Sequence, residues 1–378
     1  MGEERYPIAK ISEHWPVMIY LNYAALSPTR PEAEQAVTNT LAEFKHYLYS
    51  DAGIQWYLGK VLECRQQVSK LLNVTDPSTI AFVSNASTAH YIATRSLQWN
   101  PGDAILTSTH ENPSITRQFK ALAHRGVRIQ EVNPSSPDEL LCSMSQALDQ
   151  HPFKAIILSH VSHVDGRIFP IQAISSLARK HGVRLFIDGA QAVGHIPIDL
   201  SQLEYDVYFF TGHKWCAGPL GTGAMIVNPR FLQGHSTLPV QVNVGETPQV
   251  NQFEIGTQNI GLIAGLAKAC DSKYQEGVGT ERLKKFRQQA KDLLGKRPGN
   301  KVIEWSGPQA PGILTIQGQP GLDHQRLVAQ LAAKAGIIVK PFVGYPPDIM
   351  PAIRLSWAAM MNAQDFHRGI EGFAKSLG

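Results

Sequence analysis

A chain of 378 residues is long enough for a large core and usually for more than one folding unit. With 43% hydrophobic residues, 17% charged residues and a net charge of +4, the composition is that of an ordinary globular protein and argues against a nucleic-acid surface. Cys64, Cys142, Cys216 and Cys270 lie far apart, without Cys-x-x-Cys or metal-like spacing, which fits a reducing cytoplasm.

The charged start Met1-Gly2-Glu3-Glu4-Arg5-Tyr6 lacks the apolar stretch of a signal peptide, and Tyr6 stands where an acylation signal wants Ser or Thr. No stretch approaches the roughly 18 apolar residues of a membrane span. A soluble, cytoplasmic chain with neither nucleic-acid nor membrane partners is expected. Trp56-Tyr57 fits a helix or a pocket rim. Apolar strand-like runs then alternate with helical patterns. Strand 80–84 precedes a helix over 89–99, strand 104–107 a helix over 114–124, and strand 127–132 a helix over 140–148. Strand 155–158 precedes a helix over 171–181, and strand 183–187 runs into Asp188. Continuous apolar strands alternating with helices predict a mostly parallel sheet with both faces covered. The runs 207–210 and 223–227 have no helix between them, which predicts a local antiparallel pair. Residues 233–261, rich in Gly, Gln, Asn and Pro, read as a long functional loop. Helices over 262–274 and 280–294 follow. The basic cluster Arg282 to Arg287 reads as the solvated face of the second. Strands at 312–316, 337–339 and 353–356, with helices over 323–335 and from 364, form a second α+β set.

Two strand ends carry groups capable of catalysis. Phe186-Ile187-Asp188 ends in a carboxylate, and Phe209-Phe210-Thr211-Gly212-His213-Lys214 ends in a lysine amine. A carbonyl-bearing cofactor requires both: an amine to form a Schiff base and an acid to keep its ring nitrogen protonated. Alone, either residue reads equally well as a polar strand–loop junction. Lys60, Lys154 and Lys340 compete with Lys214, but none combines a strand end, an adjacent His and a following Gly-rich segment. Ser84-Asn85-Ala86-Ser87-Thr88, between strand and helix, offers either an anion site at a helix N-terminus or a simple helix cap. His160, His163 and Asp165 have a weak metal-like spacing.

Asp188-Gly189-Ala190-Gln191, then Thr211-Gly212-His213-Lys214, then Gly218, Gly221 and Gly223 together resemble the class V aminotransferase family. That family includes the cysteine desulfurases and the cysteine and cystine C–S lyases, and its members are fold-type I pyridoxal phosphate (PLP) enzymes. The likeness runs from Leu21-Asn22-Tyr23-Ala24-Ala25 to Arg354. It implies a large α/β domain over 21–260 with a mostly parallel mixed sheet. A small α+β domain over 261–378 and an N-terminal arm over 1–20 complete the chain. By the same resemblance Lys214 is the Schiff-base lysine, Asp188 pairs with the pyridine nitrogen, and Gln191 lies beside the cofactor's phenolic oxygen, with His160 on that side. Ala86, Ser87 and Thr88, with Thr211 and His213, would hold the phosphate. Thr257, after Gly256, would reach the phosphate of a neighbouring subunit, implying a homodimer with a shared active site. Arg354 would bind the carboxylate of an amino acid substrate beside Asn22 and Tyr23, and no metal is implied.

Two positions depart from the family pattern. Asn112 stands where many relatives place a histidine over the cofactor ring, with His110 two residues away, so proton transfer falls to Lys214 or another group. Residues 339–353 contain no cysteine, whereas persulfide-forming desulfurases keep a nucleophilic Cys in that loop. The leading expectation is abstraction of the substrate α-proton by Lys214 followed by β-elimination, the reaction of a C–S lyase. Transamination, racemisation and a non-catalytic PLP-binding role stay open.

Overall fold

The computed structural model describes residues 18–48, 50–133, 135–233, 250–279, 281–319, 321–342 and 351–377. Most of the predicted N-terminal arm, most of the loop over 233–252 and most of the segment over 342–352 lie outside the described residues. In chain order the elements are β1 (Ile19–Tyr20), α1 (Pro31–Phe44), α2 (Asp51–Leu72), β2 (Ile80–Val83), α3 (Ala86–Arg95), β3 (Ala104–Ser108), α4 (Pro113–Ala123) and β4 (Arg128–Val132). There follow α5 (Pro137–Gln150), β5 (Ala155–Ser159), α6 (Ile171–Lys180), β6 (Arg184–Asp188), β7 (Val207–Thr211), β8 (Gly223–Val227), α7 (Pro229–Gln233) and α8 (Ile260–Glu276). The last are α9 (Glu281–Gly295), β9 (Lys301–Ile303), β10 (Ile313–Gln317), α10 (His324–Ala335), β11 (Ile337–Ile338), β12 (Lys340–Phe342), β13 (Ala352–Ser356) and α11 (Ala363–Ser376).

Seven strands form the main sheet in the order β2-β8-β7-β6-β5-β3-β4. Only β8 runs against its neighbours, as the missing helix between β7 and β8 predicts. Strands β3, β5, β7 and β8 are buried along their whole length because helices cover both faces. Phe186, Val207 and Phe209 pack toward α3 and α4. Leu185, Ile187, Tyr208 and Phe210 point the other way, toward α2, α5, α6 and α8. Edge strand β4 is polar where its sequence reads Arg-Ile-Gln-Glu, which suits an exposed edge.

Capping fixes where the helices begin. Asn85 Oδ1 accepts the Thr88 amide at 2.9 Å, so α3 starts at Ala86, before the predicted Ala89. It also ends early, at Arg95. Trp99 is buried in the following loop and donates its indole N–H to the Thr94 carbonyl at 2.7 Å. Asn112 caps α4, Ser136 caps α5 and Asp323 caps α10.

A second sheet, β12-β13-β10-β9, is antiparallel throughout and is covered by α9, α10 and α11. Residues 19–24 join this unit: β1 pairs with β11, and Ile19, Leu21 and Tyr23 enter its core. Helix α8, assigned from sequence to the small domain, instead buries Ile263, Leu266 and Cys270 in the core of the main sheet against α2. The apolar face of α8 matches the core of the main sheet. No described helix is long and apolar enough to cross a membrane.

Candidate active site

The C-terminal ends of β3, β5, β6 and β7 lie along one edge of the main sheet, where α/β proteins bind ligands. Register aligns them: Ser159 is opposite Asp188, and Asp188 is opposite Phe209. A cavity of about 420 Å³ opens at this edge. Its wall includes Ala86 and Ser87 at the start of α3, Asn112 and Ser114 at the start of α4, and Asp188, Thr211, His213 and Lys214. The start of α3 thus presents its first amides to this space. At α4, Pro113 has no N–H and Asn112 Oδ1 takes the Ser114 amide at 2.9 Å, so α4 adds side chains only. Hydroxyls come from Ser87, Ser114 and Thr211. The Ser87 hydroxyl donates to Ser114 Oγ at 2.9 Å, tying the two helix starts together.

Asp188 is buried, and its Oδ1 accepts the Ala190 amide at 2.8 Å. Burial raises its carboxyl pKa, opposed by the nearby Lys214 charge. Gly189 has to be a glycine, because a Cβ there would lie 2.4 Å from the Tyr208 ring. Lys214 sits in the turn after β7, half-buried with its amine enclosed. Burial lowers its pKa to about 8, against the pull of Asp188, so the amine is neutral far more often than an ordinary lysine's. The turn is held by Trp215, which stacks on His195 at 3.6 Å and donates to Gln191 Oε1 at 2.7 Å. Ala217 closes it with a φ of 55°, a left-handed conformation that costs roughly 1–2 kcal/mol outside glycine. The competing lysines are committed elsewhere or lie outside this cavity. Lys60 pairs with Glu63, Lys154 with Asp103, and Lys340 stands in a second cavity.

That second cavity, about 480 Å³, shares Asn112, Ser114, His163, Gln191 and Lys214 with the first and adds Ala24, Arg117, Lys340, Phe342 and Arg354. Arg354 is buried. One guanidinium nitrogen donates to the His163 carbonyl at 2.5 Å and another to Asn22 Oδ1 at 3.1 Å, while its Nε has no partner among the described residues. Burial lowers its pKa to about 10, so it stays cationic at neutral pH.

Several predicted residues sit elsewhere. Thr88 does not line the cavity: its amide caps on Asn85 and its hydroxyl lies 2.9 Å from Ser84 Oγ. Gln191 lines both cavities, but its side chain bridges the Ala24 carbonyl, at 2.8 Å, and Trp215, which makes it a brace for the Lys214 turn. Asn22 orients Arg354, and Tyr23 packs edge-on against Tyr20 in the small core; neither lines the second cavity. His160 points beneath the sheet, with Nδ1 2.9 Å from the Tyr208 hydroxyl. His163 takes the place in the cavity wall that the sequence reading gave to His160, and burial holds its pKa well below the ordinary value. The metal reading of this stretch also fails to assemble. Asp165 is bound by Arg167 at 2.8 Å, and no group of three or more ligand-type side chains gathers among the described residues. Thr257 lies outside the cofactor cavity of its own chain, on an apolar groove between α1 and α2.

Sequence reasoning also missed Glu111. It is fully buried, accepting from Ser108 at 2.6 Å and from the Ser159 amide and hydroxyl at 2.9 and 2.7 Å. Burial pushes its carboxyl up to about 7. Its only sequence signal was its place between His110 and Asn112.

A buried amine of lowered pKa, a buried carboxylate within electrostatic reach and the amide-bearing start of α3 beside the Ser87, Ser114 and Thr211 hydroxyls fit pyridoxal phosphate. Fold and site together define a fold-type I enzyme of the PLP-dependent class. The chain belongs to the class V aminotransferase family, which matches residues 19–344. It is 26% identical over 366 residues to a probable cysteine desulfurase of Mycolicibacterium paratuberculosis, covering 90% of this chain and 49% of that protein. The chain thus spans about half of that relative's length. A cysteine desulfurase of Salmonella newport is 27% identical over 310 residues, 75% of each chain. Two structures of C-DES share the fold. One is the cystine C–S lyase bound to its product cysteine persulfide, with a TM-score of 0.84 and 24% identity over 95% of this chain and 97% of that one. The other is a C-DES variant with glycine covalently linked to its PLP cofactor, with a TM-score of 0.82 and 25% identity over 96% and 97%.

Proposed function

We propose that this chain eliminates a thiol from the β-carbon of a cysteine-derived amino acid and releases pyruvate and ammonia. The observation that carries the reading is the meeting of two cavities at Lys214, one suited to the cofactor and one ending in Arg354, with no cysteine lining either. Cys64, Cys216 and Cys270 are buried, and Cys142 lies on α5 away from both cavities. Without a thiol at the site, sulfur leaves with the departing group and is not passed to the enzyme. The relatives named as desulfurases and the cystine lyase C-DES support C–S bond chemistry of this kind.

Bound PLP would supply an electron-withdrawing ring that stabilises negative charge at the substrate α-carbon. Asp188 would hold the proton on the ring nitrogen, and the start of α3 at Ala86 and Ser87, with the neighbouring hydroxyls, would receive the phosphate end. Arg354 clamps the substrate carboxylate with its fork, fixed in orientation by Asn22 and the His163 carbonyl. Lys214 takes the α-proton. Asn112, with no titratable group, cannot share that task. A thiolate leaves without help from a protonated side chain, since free thiols ionise near pH 8.5.

Product analysis tests this. The PLP-loaded enzyme is given cysteine, cystine, a cysteine S-conjugate and ordinary amino acids without added keto acid. Pyruvate and ammonia over many turnovers support elimination. A single turnover to pyridoxamine phosphate, recycled only by keto acid, makes the chain an aminotransferase.

The same reading includes a homodimer with shared sites. Exposed Leu41, Leu48, Ile54 and Leu58 flank the groove that holds Gly256 and Thr257, an apolar face suited to a second copy. Thr257→Val is expected to weaken cofactor affinity although Thr257 does not line its own chain's cavity. A fully active monomer by light scattering contradicts the dimer.

A further inference from the structure

The cavity beyond Lys214 is unbalanced in charge. Its wall carries Arg117, Lys214, Lys340 and Arg354 and, among the described residues, no carboxylate. Lys214 serves the cofactor, and Arg354 is matched to the α-carboxylate. Two cations are left over. Arg117 projects from the second turn of α4, and Lys340 opens β12 on the small sheet. Both are exposed, and neither has an ion pair or side-chain hydrogen bond among the described residues. Like charges lining one cavity repel, and an anion placed between them removes that cost. Lys340 is the cross-strand neighbour of Arg354, and Pro341 and Phe342 add apolar wall for a short hydrocarbon stem, with the Phe342 ring 5.5 Å from the Arg354 guanidinium. The cavity volume suits a substrate longer than cysteine itself.

We propose that the substrate is a cysteine S-conjugate whose leaving group ends in its own acid, a carboxylate or sulfonate, received by Arg117 and Lys340. The inference rests on the elimination reading and specifies its substrate class. A leaving group ending in a second amino-acid head fits less well, because its ammonium meets no carboxylate among the described wall residues. The reaction balances without an oxidant. The C–S bond breaks with its electron pair on sulfur, the sulfur takes up a proton, and water converts the remaining three-carbon unit to pyruvate and ammonia.

The test compares S-(2-carboxyethyl)cysteine with its amide isostere, S-(2-carbamoylethyl)cysteine, on the holoenzyme. Pyruvate release should give a kcat/KM about tenfold higher for the acid, carried mainly by KM. The advantage should shrink as salt screens the charges. In the double variant Arg117→Gln, Lys340→Gln the ratio should collapse toward one. Equal kcat/KM values in the wild type, or a ratio that survives in the double variant, overturn the proposal while leaving elimination standing. If neither conjugate releases pyruvate, the elimination reading fails, and titration of the cofactor absorbance still decides the charge question. Tighter binding of the acid, lost in the double variant, upholds the acidic substrate class; equal binding overturns it.

Discussion

The two cavities that meet at Lys214 are built in different ways. The cofactor side comes from one sheet and the helices that follow its strands. Ser159, Asp188 and Thr211 are the last residues of adjacent strands, and Ala86 and Pro113 open helices. Strand register and capping set these positions, so little is left to side-chain choice. The substrate side is collected from Ala24, Arg117, Lys340 and Arg354, which lie on separate elements of two folding units. Cofactor chemistry is thus anchored in the backbone architecture. Substrate choice rests on a few side chains that can change without moving the sheet.

Breaking the cofactor side should cost most. Lys214→Ala is expected to lower turnover on the order of 10⁴-fold and abolish the visible cofactor band, with circular dichroism unchanged. Asp188→Asn keeps the shape and removes the charge. Turnover should fall about 10²- to 10³-fold while the bound cofactor remains measurable by absorbance. On the substrate side, Arg354→Lys keeps the charge and loses the fork. A rise of about 30-fold in KM with a smaller change in kcat is expected from steady-state kinetics. A KM change as large in Asp188→Asn as in Arg354→Lys would erase the distinction between the sides.

Glu111 gives the smallest effect on activity and the sharpest on pH. Its folded pKa of about 7 lies above its ordinary 4.5, so the folded state holds a proton that the unfolded chain gives up. Its contribution is complete below 4.5 and is lost as pH rises through about 7. The loss is worth at most ~3 kcal/mol. Glu111→Gln should flatten the fall in thermal midpoint over that window, and an unchanged slope would contradict a buried neutral acid.

The same contrast governs what the sequence discloses. The places of Asp188 and Lys214 were legible because each follows an apolar run ending at a strand terminus, and the antiparallel β7–β8 pair because no helix separates its two runs. Arg354, on β13, was legible only through the family resemblance. Arg117 was not. It sits one turn inside an amphipathic helix, where an exposed arginine reads as a solvated face. His160 and His163 could not be ranked by spacing, because the chain turns after β5 ends at Ser159 and the alternation of faces stops there. Helices α1 and α2 escaped prediction because exposed Leu41, Ile54, Leu58 and Leu62 blur their apolar stripes. Of these, Leu41, Ile54 and Leu58 face the groove beside Thr257, so the local pattern answers to a surface outside the chain's own core.

The most direct test of the central claim is to reduce the PLP-loaded protein with borohydride and map the modified peptide by mass spectrometry. The account predicts a phosphopyridoxyl group on Lys214 alone. The same group on Lys60, Lys154 or Lys340, with Lys214 unmodified, would contradict it.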